Sequence, residues 1–178
     1  SFVKDIIGEK AALSGEEMHN FLLRKVVCRS DGGYVIIGEE FFISQQSYTY
    51  YINGIPQISS RSIYNYGKIF ILSVDPEGKI EWTRVINKGQ SSLDDLGHYS
   101  SFTTMLRKDK ILIMFNDKMR GIGDVLQYSL DNFGKVESQM LFNDMNAYVS
   151  IIPWEAEQLD ANTMLIPTSK DRKFAFVK

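Results

Sequence analysis

Apolar and polar residues alternate along most of this chain in short runs broken by turn residues, and that period of two predicts strands. Asn20 to Arg29 reads as one strand, and Ser30-Asp31-Gly32-Gly33 as the turn that follows it. Tyr34 to Ile37 is the next strand. Lys68 to Val74 and Lys79 to Ile86 flank the turn Asp75-Pro76-Glu77-Gly78. Pro76 presets φ in that turn, and Gly78 supplies its left-handed residue. Helical periodicity is scarce. Ser14 and Glu17 stand at capping-box spacing, which predicts a short helix over about 15–20.

The layout then recurs. Ser101 to Arg107 and Lys110 to Phe115 are strands around Lys108-Asp109. Val125 to Leu130 and Lys135 to Phe142 flank Asp131-Asn132-Phe133-Gly134. The turns Asp75 to Lys79 and Asp131 to Lys135 lie 56 residues apart. Phe70, Leu72 and Val74 precede the first in the same phase as Leu126, Tyr128 and Leu130 precede the second. A third, incomplete unit holds strands at Trp154 to Leu159, Thr163 to Ile166 and Lys173 to Val177, with a turn at Asp160-Ala161-Asn162. Residues 2–7 read as a lone strand.

A four-stranded meander alone buries one face at best, so repetition predicts sheets packed face to face. The expected fold is all-β: a β-propeller-like array of four-stranded antiparallel blades, about three blade equivalents, part of a larger ring. The units are 25–88, 100–144 and 152–178, preceded by 1–24, within one domain of 178 residues. Three blades are too few to close a ring. Either the chain is an excerpt of a longer propeller, or two copies join into six blades; the excerpt is the favoured reading. The start at Ser1 and the strand-like end at Lys178 read as a processed or truncated piece.

Composition narrows the classes. Hydrophobic residues make up 44% and charged residues 24%, which is globular. The net charge of −2 gives no reason to expect nucleic acid. No apolar run reaches the roughly 18 residues of a membrane span. The single cysteine, Cys28, reads as a small buried hydrophobe in a strand and forbids an internal disulfide.

Two stretches carry a family resemblance: Asp31-Gly-Gly-Tyr-Val-Ile-Ile-Gly38, and Ile69-Phe-Ile-Leu-Ser-Val-Asp-Pro-Glu-Gly-Lys-Ile-Glu-Trp82. They resemble the repeats of secreted bacterial β-propeller proteins of the WD40-like, kelch-like and quinoprotein-like group. In such repeats a Gly-Gly-aromatic strand leads to strand–turn–strand with Asp-x-x-Gly and a Trp. The resemblance implies that Trp82 packs between blades and that the protein is exported, extracellular or periplasmic. The second unit departs from it, with Lys108-Asp109-Lys110 in place of the glycines and Ser138 in place of Trp82.

Candidate chemistry is sparse. His19 and His98 each lack a second histidine at metal-ligand spacing and read as loop residues. Asp94-Asp95 with His98 is too poor in oxygen ligands for a calcium loop. Gly121-Ile122-Gly123-Asp124 lies between strands, not before a helix, so it reads as a connection and not as a phosphate cradle. No cofactor and no metal are expected.

Residues 41–67 stand out. The first unit places about 27 residues where the second uses about ten, and five of the nine tyrosines lie there with Arg61 as the only charge. Asn53-Gly54 is a hairpin turn signal, so Tyr48 to Ile52 and Ile55 to Ile63 are expected to form an extra hairpin. Tyr48, Tyr50, Tyr51, Arg61, Tyr64 and Tyr66 are the candidate binding residues. Tyrosine pairs an apolar ring with a polar tip, which suits protein interfaces and glycans alike. A plain cover over a blade edge is the alternative. Alternation puts Tyr48 and Tyr50 on one face and Tyr51 on the other, so not all can serve one ligand.

Two functions therefore compete. One is a non-enzymatic binding or scaffold module for a protein or glycan. The other is a glycosidase- or lyase-type enzyme in a propeller channel, with Asp94 and Asp95 as weak candidates for its acid pair.

Overall fold

Side-chain alternation builds three antiparallel sheets in the computed structural model, which describes Lys4 and residues 20–117, 124–142, 150–170 and 173–177. The first sheet holds β1 (Phe21–Cys28), β2 (Tyr34–Ile52), β3 (Ile55–Val74), β4 (Ile80–Ile86) and β5 (Gln90–Leu93). They run in the order β1-β2-β3-β4, and β5 pairs with β3 beyond the end of β4. The second is the meander β6 (Thr103–Leu106), β7 (Lys110–Asn116), β8 (Val125–Asp131) and β9 (Val136–Phe142). In the third, β12 (Met164–Lys170) pairs with β10 (Ser150–Ile151), β11 (Glu157–Gln158) and β13 (Lys173–Val177).

The second sheet is buried on both faces. Ile113, Phe115 and Leu130 meet Val35, Ile37, Ile69 and Ile71 of the first sheet. Leu112, Met114 and Val125 meet Ile151, Met164 and Ile166 of the third. Each such side chain stabilises the fold by roughly 1.5–3 kcal/mol through burial. On its other face the first sheet has Phe21 edge-on to Phe70 at 5.6 Å. Val26, Tyr34 and Ile80 on that same face are exposed.

The two Asp-x-x-Gly-Lys turns fold alike, which gives the sequence repeat a geometric cause. Asp75 Oδ1 accepts the Lys79 amide at 2.7 Å, and Asp131 Oδ1 accepts the Lys135 amide at 2.8 Å. In each turn the glycine amide donates back to the aspartate carbonyl, at 3.1 Å for Gly78 and 3.0 Å for Gly134. Both glycines have positive φ, 85° and 77°. Trp82 lies across the second of these turns, where a Cβ on Gly134 would sit 2.7 Å from the ring. Its Nε1 donates to Asn132 O at 3.3 Å, so Trp82 bridges the first and second sheets.

Several expectations are corrected. Residues 41–67 form the expected hairpin about Asn53-Gly54, but not as a separate unit: β2 and β3 run on into it, apart from one bulge in which Gly67 and Lys68 oppose Glu40. Trp154 to Leu159 is not one strand. Pro153 opens a 3-10 turn through Glu155, and only Glu157 and Gln158 pair as a strand, β11. Gln90 to Leu93 forms β5 despite its polar sequence. Cys28 is in a strand but exposed. The helix start at Ser14 and Glu17, His19 and Gly121–Gly123 lie outside the described residues. So does the strand 2–7 except for Lys4, whose backbone is helical.

Candidate functional site

The long β2–β3 hairpin forms an arm because its neighbours stop early. β1 pairs with β2 only as far as Glu40, and β5 pairs with β3 only as far as Ile63. Asp94 closes that edge: its amide donates to Ser62 O at 3.0 Å, and its Oδ1 accepts the Ser62 amide at 2.8 Å. From Gln46 and Arg61 outward no other described strand pairs with these two, which run on for about 25 Å at the rise of a strand. Asn53 and Gly54 close the tip with φ of 50° and 78°, as a type I′ turn needs.

The six candidate residues divide between the arm's two faces. Tyr48, Tyr50 and Arg61 share one face. The tyrosine rings stand 6.1 Å apart, and the Arg61 guanidinium lies 4.4 Å from the Tyr48 centroid. Hydrogen bonds from Ser59 and then from Arg61 hold the Tyr48 hydroxyl below the usual phenol range. Tyr51, Tyr64 and Tyr66 belong to the other face. Tyr51 is 70% exposed, Tyr64 is half-buried, and Tyr66 is buried at the base. No single ligand surface unites the six.

The exposed aliphatics matter as much as the tyrosines. Ile43, Ile52, Ile55 and Ile58 are all exposed, Ile58 at 81%. The same alternation that placed the tyrosines would have placed these isoleucines on the arm.

A buried polar chain fixes the base of the arm. Glu39, two residues before Phe41, is fully buried. Its carboxylate meets Lys88 Nζ at 2.7 Å, Arg24 Nη2 at 2.7 Å and the Ser101 hydroxyl at 2.6 Å. Lys88 also donates to Gln90 Oε1 at 2.9 Å, and Gln90 Nε2 donates to Asn116 O at 2.7 Å. Asn116 Nδ2 donates to Ile151 O at 2.8 Å, carrying the chain into the third sheet. Tyr66 packs against Phe41 with centroids 4.8 Å apart, and burial pushes its hydroxyl pKa up. Burial lowers the Lys88 pKa against the opposing pull of Glu39. The chain of bonds reads as a rigid foundation, because every charge in it has a charged partner.

The remaining candidates for chemistry are occupied by structure. Asp94 Oδ1 serves Ser62, and Asp95 Oδ1 accepts the Gly97 amide at 2.8 Å. His98 packs edge-on to Tyr99, and its carbonyl accepts Trp154 Nε1 at 3.0 Å. Among the described residues no three His, Cys, Asp or Glu side chains gather as a metal site would require. A cleft of about 720 Å³ between the first and second sheets is lined by Arg29, Glu81, Trp82, Arg107 and Phe133. Arg29 there pairs with Asp31 and Glu81, which lowers both carboxyl pKa values.

Compared with known proteins, the chain matches no family model, no curated protein and no solved structure. Among the described residues no helix is long and apolar enough to cross a membrane.

Proposed function

We propose that this chain is a non-catalytic binding or scaffold module that makes protein contacts through the β2–β3 arm. The observation that carries the reading is the arm's reach past both neighbouring strands with apolar side chains on each face. A two-stranded hairpin on its own is marginal in water, so such an arm gains order when something covers it. Protein suits it better than glycan. Glycan sites combine aromatic planes with several polar groups, whereas this arm presents four exposed isoleucines and the single charge of Arg61.

We propose further that the three sheets are blades of a propeller-like array. The two-sided burial of the second sheet, Trp82 at the first interface and the repeated Asp-x-x-Gly-Lys turn support it. The exposed apolar side chains on the far face of the first sheet fit a blade that awaits a neighbour.

Replacing residues 47–60 by Asn-Gly tests the main reading, because Gln46 and Arg61 already face each other across the ladder. A contact arm is dispensable to the fold, so the thermal midpoint should move by less than about 4 °C. A fall of more than about 10 °C would make the arm part of the folded core and overturn the reading. Titration of the intact chain with neutral and acidic oligosaccharides separates the ligand classes. Binding that Tyr50→Ala abolishes would replace protein by glycan.

A further inference from the structure

Beyond Gln46 and Arg61 neither edge of the arm pairs with a described strand, and the two edges differ. Ile52 and Ile55 flank a two-residue turn, so they exchange both hydrogen bonds, and the even-numbered residues of outer β2 point their main-chain groups at β3. The odd-numbered residues then point outward. The Phe41 amide confirms the parity, since it donates away from β3 to Asn20 O at 2.6 Å. Beyond Phe41 the outward residues are Ile43, Gln45, Ser47, Thr49 and Tyr51, and no described strand pairs with them.

That edge lacks the usual protection. Natural edge strands carry charges, prolines or bulges that discourage pairing. From Phe41 to Ile52 there is no charge and no proline, and the register with β3 runs without a shift. The opposite edge is guarded. Pro56 has no amide to offer, Arg61 adds a charge, and Asp94 already binds Ser62.

The open edge is also complementary to itself. Its midpoint is Ser47. Antiparallel pairing about that residue sets Ile43 opposite Tyr51 and Gln45 opposite Thr49, with Ser47 opposite its own copy. All five outward residues then fall in hydrogen-bonded pairs. On the other face Phe42 meets Ile52, Ser44 meets Tyr50 and Gln46 meets Tyr48. Apolar residues face apolar ones at both ends, and no like charges meet. A twofold dimer requires this property, because each partner offers the same surface.

We infer that the β2 edge of the arm pairs with the same edge of a second copy, antiparallel about Ser47, to form a four-stranded sheet across a twofold axis. This rests on the arm being a contact element and names its partner. Arg61 lies on the far strand, and its guanidinium covers the Tyr48 ring of its own arm.

Cysteine placement tests the register in a Cys28→Ser background. Residues opposite in a hydrogen-bonded antiparallel pair have Cα atoms about 5.5 Å apart, within disulfide reach. Ser47→Cys should therefore give a covalent dimer under mild oxidation. Thr49→Cys would stand some 14 Å along the strand from its copy, and should cross-link at least about tenfold less. The unoxidised chain should scatter light as twice 20.4 kDa, and Gln45→Lys/Thr49→Lys should return it to one chain by placing like charges opposite. A monomer at millimolar concentration, or a dimer in which the two cysteines cross-link equally, would overturn the inference. A monomer whose shortened form melts normally would leave the arm free for a different protein. Unfolding of the shortened form would instead overturn the contact reading itself.

Discussion

Lys88 Nζ lies 2.7 Å from Glu39 Oε1, and both side chains are sealed from solvent where the arm leaves the body of the protein. Removing one partner of a buried pair strands the other charge. Lys88→Met should therefore cost roughly 3 kcal/mol in urea unfolding, although Arg24 still reaches Glu39. Glu39→Leu with Lys88→Met removes both charges and should regain much of that loss. A double variant no better than the single one would show that the pair does not act as a unit.

Tyr66 and Tyr51 separate structural from surface tyrosines. Tyr66 is buried against Phe41, and Tyr51 is 70% exposed. Tyr66→Ala should cost about 3 kcal/mol by denaturant titration, and Tyr51→Ala less than about 0.5 kcal/mol. Equal costs would place Tyr51 in the folded core.

Gly134 should not tolerate a side chain. Its φ of 77° and the Trp82 ring above it both oppose one. Gly134→Ala should destabilise by at least about 1 kcal/mol and shift tryptophan fluorescence as the indole is displaced. An unchanged spectrum and midpoint would contradict the bridging role of Trp82.

Acid should loosen the cleft between the first two sheets. Arg29 holds the carboxyl pKa values of Glu81 and Asp31 below their ordinary values. Their stabilisation is thus present above the usual carboxylate range, and is lost as pH falls through the lowered folded values. Arg29→Met should flatten this part of the stability–pH curve. A curve with unchanged slope would mean that the exposed pairs contribute nothing.

Much of the strand layout was legible because alternation and turn chemistry act locally. Asp75 and Asp131 announce their turns, and Asn53-Gly54 announces the tip. The arm's continuity was not legible, since Gly38 and Gly67 read as strand breaks although the bulge at Glu40 carries the ladder past them. β5 was hidden because Gln90-Ser91-Ser92 has no apolar face, and it is held by pairing to β3. The tyrosines could be assigned to faces, but the burial of Tyr66 could not be foreseen. It depends on Arg24, Phe41 and Lys88 meeting the ring from three separate segments.

Residue-resolved amide hydrogen exchange along β2 tests most directly whether the arm works through its open edge. In dilute solution Ser44, Gln46, Tyr48 and Tyr50 should be protected by β3, while Ile43, Gln45, Ser47 and Thr49 exchange freely. As concentration rises, the second set should gain protection in step with the doubling of mass. Doubled mass with the outward amides still exchanging freely would show that copies meet elsewhere and that the edge is not the contact.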